Sequence, residues 1–177
     1  MADFRLRRRD ELAAEGDHAA WEEIYRGVYP RLRAFVARRV DDATIEDLVS
    51  ETMTRAVGSI ERYRPTGPGI EAWIFGIARR VIADHHRRVG RERRRRDRSA
   101  VAPTAPDDAA VASDEHARIR AAFTELSAGD RELLELRFVV GLSPDETAVA
   151  LGKRPGAVRT AQTRALARLR RLVEFDS

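Results

Sequence analysis

Apolar residues recur at helical spacing along separate stretches of the chain, and nowhere do they alternate as in a half-buried strand. From about Asp17 to Val40, one stripe carries Trp21, Ile24, Tyr25, Val28, Leu32, Phe35 and Val36, which predicts a first helix. Pro30 sits in its middle and removes a backbone hydrogen bond, so the pattern predicts a kink or a division into two segments. A second helix is predicted to open with Thr44 as cap and Asp47 in its first turn. It buries Ile45, Leu48, Val49, Met53, Ala56, Val57 and Ile60. A turn-rich stretch from Tyr63 to Gly69 follows, with Pro65, Gly67 and Pro68. A third helix then buries Ile70, Trp73, Ile74, Ile77, Ala78, Val81 and Ile82.

Between Ser143 and Val173 the pattern predicts two helices around a tight turn. Ser143, Pro144, Asp145 and Glu146 supply a capping hydroxyl, a proline at the first helical position and acids over the positive helix end. Leu151, Gly152 and Lys153 make the turn, where glycine takes the left-handed conformation without strain. Pro155 restarts a helix with Arg154 before it. Val158, Ala161, Ala165, Leu169 and Leu172 form its inner stripe, and Arg159, Thr160, Thr163 and Arg164 its outer face. Two guanidiniums and two hydroxyls on one face suit a major groove and its flanking phosphates, because arginine bonds a guanine edge or a phosphate bidentately. This is the pattern of a DNA-binding helix-turn-helix.

The predicted fold class is all-α: two small helical domains, residues 1–90 and 117–177, joined by a flexible linker over residues 91–116. The linker passes from an arginine cluster (Arg91, Arg93 to Arg96, Arg98) into alanine, proline and aspartate, a composition that forms no core. The cluster either extends the preceding helix onto DNA or is a solvated tail. At 177 residues, with 43% hydrophobic and 35% charged, the chain has enough apolar side chains for one modest core or two small ones. It has no cysteine, which excludes disulfides and thiolate metal sites and fits a reducing cytoplasm. The basic amino terminus is followed by Asp10, Glu11 and Glu15 with no apolar run, so neither a secretory signal nor membrane insertion is expected. The net charge of +4 is small; what matters is placement, and all 33 basic residues except Lys153 are arginine.

The second helix shows Glu46, Asp47, Ser50, Glu51 and Arg55 on its outer face. Dipole complementation accounts for Glu46 and Asp47 but poorly for Glu51, and an acidic patch on a rigid helix suits a basic protein partner. The third helix shows Gly76, Arg79, Arg80, Ala83, Asp84, Arg87 and Arg88 opposite its core stripe. Small residues between arginines leave room for a nucleic-acid backbone, and the preceding loop is placed to hold an unstacked base. His85 and His86 are adjacent and face different ways on a helix, which argues against a joint metal site. No carboxylate pair, nucleophile motif or phosphate loop is present, so no enzyme activity, metal or cofactor is expected.

The run Ile45 to Arg62, followed by Ala72, Trp73, Ile74, Phe75, Gly76, Ile77, Ala78 and Arg79, resembles region two of the extracytoplasmic-function sigma factors of bacterial RNA polymerase. Leu126 to Arg171 resembles their region four. The resemblance implies that Asp47, Ser50 and Glu51 contact the clamp coiled coil of core RNA polymerase. It implies that Arg64 to Ile70 form a loop capturing a base of the minus-ten promoter element, with Arg79, Arg80, Asp84 and Arg87 along the DNA. Arg154, Arg159, Thr160, Thr163 and Arg164 then lie against the minus-thirty-five element. An anti-sigma factor is a further candidate partner. The chain departs from the family pattern at Arg80, where asparagine is common, at Ala161, where a basic residue is frequent, and at Val57, where a bulky one is. These departures bear on promoter sequence. Because the chain reaches Ser177 soon after the second helix of the pair, no added regulatory domain is expected. The competing readings are a stand-alone helix-turn-helix repressor or activator and, more remotely, a hydrolase using Asp84, His85 and His86.

Overall fold

The computed structural model describes residues 2–65, 67–96 and 114–175. Its described elements are helical, and they fall into two compact units, Met1–Pro106 and Asp107–Ser177.

The first unit contains α1 (Ala2–Ala14), α2 (His18–Ala37), α3 (Asp42–Gly58), a short 3-10 turn (Ile60–Arg62) and α4 (Ile70–Arg96). Helices α2, α3 and α4 pack on one another around Ile24, Val28, Leu32, Phe35, Ile45, Leu48, Ile70, Ile74 and Phe75, and α1 lies on α2. Phe35 and Phe75 meet edge to face with centroids 5.5 Å apart, a geometry that adds about 0.5 to 1.5 kcal/mol beyond the area it buries. The predicted stripe of the third helix omits Phe75 and Ala72, both fully buried, because α4 is covered over more of its circumference than one stripe.

Several expectations are corrected here. Pro30 does not divide the first predicted helix: α2 is continuous through it. Pro30 and Arg26, the residue whose carbonyl loses its amide donor, are both exposed. Asp17 caps α2, its carboxylate accepting from the Ala20 amide at 2.8 Å. Thr44 is not the cap of the second predicted helix. Asp41 holds the N-cap position, and the Thr44 hydroxyl donates back to its carboxylate from inside the first turn. Tyr25 and Val57, expected in the core, are 43% and 51% exposed. Trp73 is half-buried against Tyr63, their ring centroids 5.5 Å apart.

The α1 helix carries no apolar stripe, which is why hydrophobic patterning misses it. It is held by Ala13, which is fully buried, by the Trp21 Nε1–H donating to the Ala13 carbonyl at 3.0 Å, and by the buried carboxylate of Asp10. At its other end α4 runs on through Arg96, so the first part of the arginine cluster extends the preceding helix, one of the two readings left open for it. Its 27 residues extend about 40 Å. Residues 91–96, assigned to the linker from composition, are therefore helical, with Arg91 and Arg93 to Arg95 exposed. Residues 114–116 are likewise helical; Arg98 and the remaining linker positions, 97–113, lie outside the described residues.

The second unit contains α5 (Asp114–Glu125), α6 (Ala128–Leu134) running into a π turn (Glu135–Val139), α7 (Pro144–Leu151) and α8 (Pro155–Phe175). Helix α8 packs on α5, α6 and α7. Leu126, Leu133, Leu134, Ala148, Val158 and Ala165 form the buried centre, flanked by Phe123, Leu151, Ala161, Leu169 and Leu172. The predicted inner stripe of the last helix is thus the packed one. The start signal of α7 is a complete capping box: the Ser143 Oγ accepts from the Glu146 amide at 3.2 Å, and the Glu146 carboxylate accepts from the Ser143 amide at 2.6 Å. Gly152 closes α7 at φ 63°, ψ 37°.

Candidate nucleic-acid interface

On the second unit, Arg154, Arg159, Thr160, Thr163 and Arg164 are all exposed, the last four on the face of α8 opposite its packed stripe. Their hydrogen bonds set how each is presented. The Thr160 and Thr163 hydroxyls donate to the carbonyls of Gly156 and Arg159, at 3.1 Å each, leaving oxygen lone pairs outward. Arg159 Nη2 donates to Asp145 Oδ1 on α7 at 2.9 Å, with both side chains more than half exposed. Such an exposed pair contributes less than about 1 kcal/mol. Arg164 and Arg154 have no side-chain partner among the described residues.

Two residues not anticipated from sequence tie α8 to its neighbours. Arg137, in the π turn, donates from Nε to Gln162 Oε1 on α8 at 2.7 Å and from Nη1 to the Leu142 carbonyl just before α7. One guanidinium therefore ties the start of α7 to the middle of α8. Arg168 Nη2 lies 2.8 Å from Asp130 and ties α8 to α6, and this contact and the Ser127 hydroxyl hold the Asp130 carboxyl below its ordinary value against the opposing effect of burial, the largest influence on it.

On the first unit, the outer face of α4 carries Arg80, Ala83 and Arg87 in solvent, with Arg79 and Asp84 half-buried. Arg80 Nε folds back onto the Gly76 carbonyl at 3.2 Å. Asp84 is the hub of this face. It accepts from Arg87 on its own helix and from Arg55 Nη1 on α3 at 3.3 Å. Those two bonds, Arg87 first, hold its carboxyl below the ordinary aspartate value. In the segment before α4, Arg64 is exposed and donates to the carbonyls of Glu61 and Tyr63, at 2.6 and 3.2 Å. Thr66, within the predicted base-capturing loop, lies outside the described residues.

On α3, Asp47 and Ser50 are exposed and have no side-chain partner among the described residues. Glu51 differs, accepting from Arg55 Nη2 at 2.6 Å. Glu46 is occupied by the Tyr29 hydroxyl at 2.9 Å and Arg33 Nε at 2.8 Å, which lower its carboxyl pKa. His85 and His86 stack edge to face at 5.7 Å, and burial, then the charge of neighbouring His86, pushes His85 below the ordinary histidine value. Among the described residues, no group of three histidines and acids is placed to hold a metal ion, and no helix is long and apolar enough to cross a membrane.

Residues 24–92 match the family model "Sigma-70 region 2", and residues 116–169 match "Sigma-70, region 4". The two matches, in this order, define a protein of the sigma-70 class. The ECF RNA polymerase sigma factor SigD of Mycobacterium tuberculosis (strain ATCC 25618 / H37Rv) is 35% identical over 175 residues, spanning 92% of this chain and 82% of SigD. The ECF RNA polymerase sigma factor ShbA of Streptomyces griseus is 36% identical over 179 residues, spanning 92% of each chain. Among solved structures, the sigma factor RpoE in complex with the anti-sigma factor NepR from Bartonella quintana is similar at a TM-score of 0.65 and 28% identity, over 88% of this chain and 98% of that one. The chain belongs to the ECF RNA polymerase sigma factors.

Proposed function

We propose that this sigma factor directs core RNA polymerase to promoters through three surfaces. Asp47, Ser50 and Glu51 on α3 dock the polymerase. Arg64 in the segment before α4, with Arg79, Arg80, Asp84 and Arg87 on α4, binds and opens the minus-ten element. Arg154, Arg159, Thr160, Thr163 and Arg164 read the minus-thirty-five element. The observation that supports this most is the outer face of α8, where arginines and hydroxyls lie opposite a packed stripe on a helix whose partner is firmly capped and tied to it.

Base opening needs no covalent chemistry from this chain. Flipped bases held in protein pockets offset the stacking they lose, and arginines along α4 neutralise the backbone they leave. Nucleotide addition is the polymerase's own chemistry, and the chain's place of work is the cytoplasm. An anti-sigma factor is a further proposed partner, since the similar RpoE structure is a complex with one. Nothing favours the stand-alone repressor over this reading. The test is run-off transcription: purified protein added to sigma-free polymerase should confer defined start sites, whereas a repressor would bind duplex DNA tightly and leave start-site choice unaltered.

A further inference from the structure

Among the described residues of the first unit, Asp10 is the one buried charged side chain, 3% exposed. A carboxylate is not buried without compensation, because it gives up its hydration and must be paired and hydrogen-bonded instead. Here both oxygens are used. Oδ1 accepts from Arg9 Nε and Nη2, at 3.2 and 3.0 Å. Oδ2 accepts from the Tyr63 hydroxyl at 3.2 Å and from the Ile70 backbone amide at 2.8 Å. Arg9 is itself largely buried and reaches on to Glu71 in the first turn of α4, 3.5 Å away.

One oxygen atom therefore joins the two ends of the segment between the 3-10 turn and α4. Ile70 opens α4, and its amide is one of the donors that a helix start leaves without an internal partner. Such donors are usually met by a side chain just before the helix, but Gly69 stands there, at φ 35°, and has none. The carboxylate arrives instead from α1, which also brings negative charge to the positive end of the helix. A segment that must receive an unstacked base loses affinity to the entropy of ordering unless its shape is fixed beforehand. Supporting contacts behind a binding loop supply that fixation.

We propose that Asp10, held by Arg9, is a positioning residue for promoter opening: it clamps Tyr63 and the start of α4 together and so presets the mouth of the base-capturing segment. The inference rests on the reading of Arg64 to Ile70 as that segment. Arg9 and Asp10 precede the residues matched to region two, 24–92.

The test uses full-length Asp10→Asn, Tyr63→Phe and Arg64→Ala assembled with core polymerase, on a promoter identified by mapping this factor's transcript starts. Opening is followed with a fluorescent base analogue in the minus-ten element, and discrimination by comparing that element with singly substituted versions. Asp10→Asn and Tyr63→Phe should each lower minus-ten discrimination several-fold while leaving core-polymerase affinity and minus-thirty-five dependence unchanged. The double variant should be no worse than Asp10→Asn, because the hydroxyl acts through that carboxylate. If Asp10→Asn also loses core binding, Tyr63→Phe decides, since it removes one hydroxyl and keeps the ring on Trp73. Unaltered discrimination in Tyr63→Phe, with Arg64→Ala impaired, overturns the positioning role alone. Unaltered discrimination in all three overturns the assignment of the segment itself.

Discussion

Arg55 Nη1 on α3 lies 3.3 Å from Asp84 Oδ2 on α4, and the same guanidinium donates to Glu51 from Nη2 at 2.6 Å. With Arg87 on the far side of Asp84, four alternating charges run from the proposed polymerase surface to the proposed DNA surface. All four are at least partly exposed, so the row of charges contributes little to stability. Arg55→Ala should therefore lower thermal stability little, yet weaken both core binding, through Glu51, and minus-ten opening, through Asp84. Asp84→Asn should weaken opening alone. Core-binding titration beside an opening assay separates the two, and equal effects of both variants on both assays would contradict the division of labour.

The charge state of Asp84 carries a pH prediction. Its folded-state pKa is depressed, by Arg87 first and Arg55 second. The stabilisation from such a group is present above its unfolded value, about 3.9, and is lost only as pH falls through the lower folded value. The Arg55–Asp84–Arg87 contacts should stay intact from neutrality down to about pH 4, the unfolded value, and give way only below it. Carboxyl NMR titration of Asp84 checks this; a midpoint at or above the ordinary aspartate value would count against it.

Asp145 holds the guanidinium of Arg159 in the folded protein without DNA. Arg159→Ala or Arg164→Ala should weaken recognition of the minus-thirty-five element by about 1 to 3 kcal/mol for each bidentate bond to a base that the truncation removes. Asp145→Ala should act oppositely on affinity, strengthening duplex binding and steepening its salt dependence because a competing acid is removed. Binding isotherms over a salt series measure both. An unchanged minus-thirty-five preference in the arginine variants would remove those residues from the reading surface.

Asp47→Ala combined with Glu51→Ala should reduce affinity for core polymerase and spare duplex binding by the second unit, which shares no residue with that surface. Loss of both functions together would indicate misfolding.

Gly152 closes α7 at φ 63°, with nothing within 4 Å of where a Cβ would stand. Gly152→Ala therefore meets no clash and costs only the left-handed backbone, about 1 to 2 kcal/mol. Ser143→Ala removes half of the capping box and costs about 1 kcal/mol. Thermal denaturation of the full chain, followed in the second unit, should rank both as mild. A collapse of folding in either would contradict this.

What was readable from sequence was local. The cap at Ser143, the turn at Gly152 and the packed stripe from Val158 to Leu172 each depend on neighbours within a few positions, and the all-α class followed from apolar spacing. The α1 helix was not readable, because it is secured by a buried carboxylate, an indole N–H and one alanine, with no stripe to see. Asp10 finds Tyr63 and Ile70 at separations of 53 and 60 residues, and Arg137 finds Gln162 at 25. No period marks such pairs. Composition left the end of α4 open, since consecutive arginines are good helix formers as well as linker-like in charge. The candidate DNA face of α8 was legible as a face, but its presentation by Asp145 was not.

The most direct test of the central claim is start-site mapping with the pure protein, sigma-free core polymerase and a broad promoter library at low salt. The account predicts a defined set of starts sharing minus-ten and minus-thirty-five elements, lost with the Asp47→Ala, Glu51→Ala variant and redistributed by Arg159→Ala. Starts that do not depend on the added protein, or that ignore both elements, would contradict it.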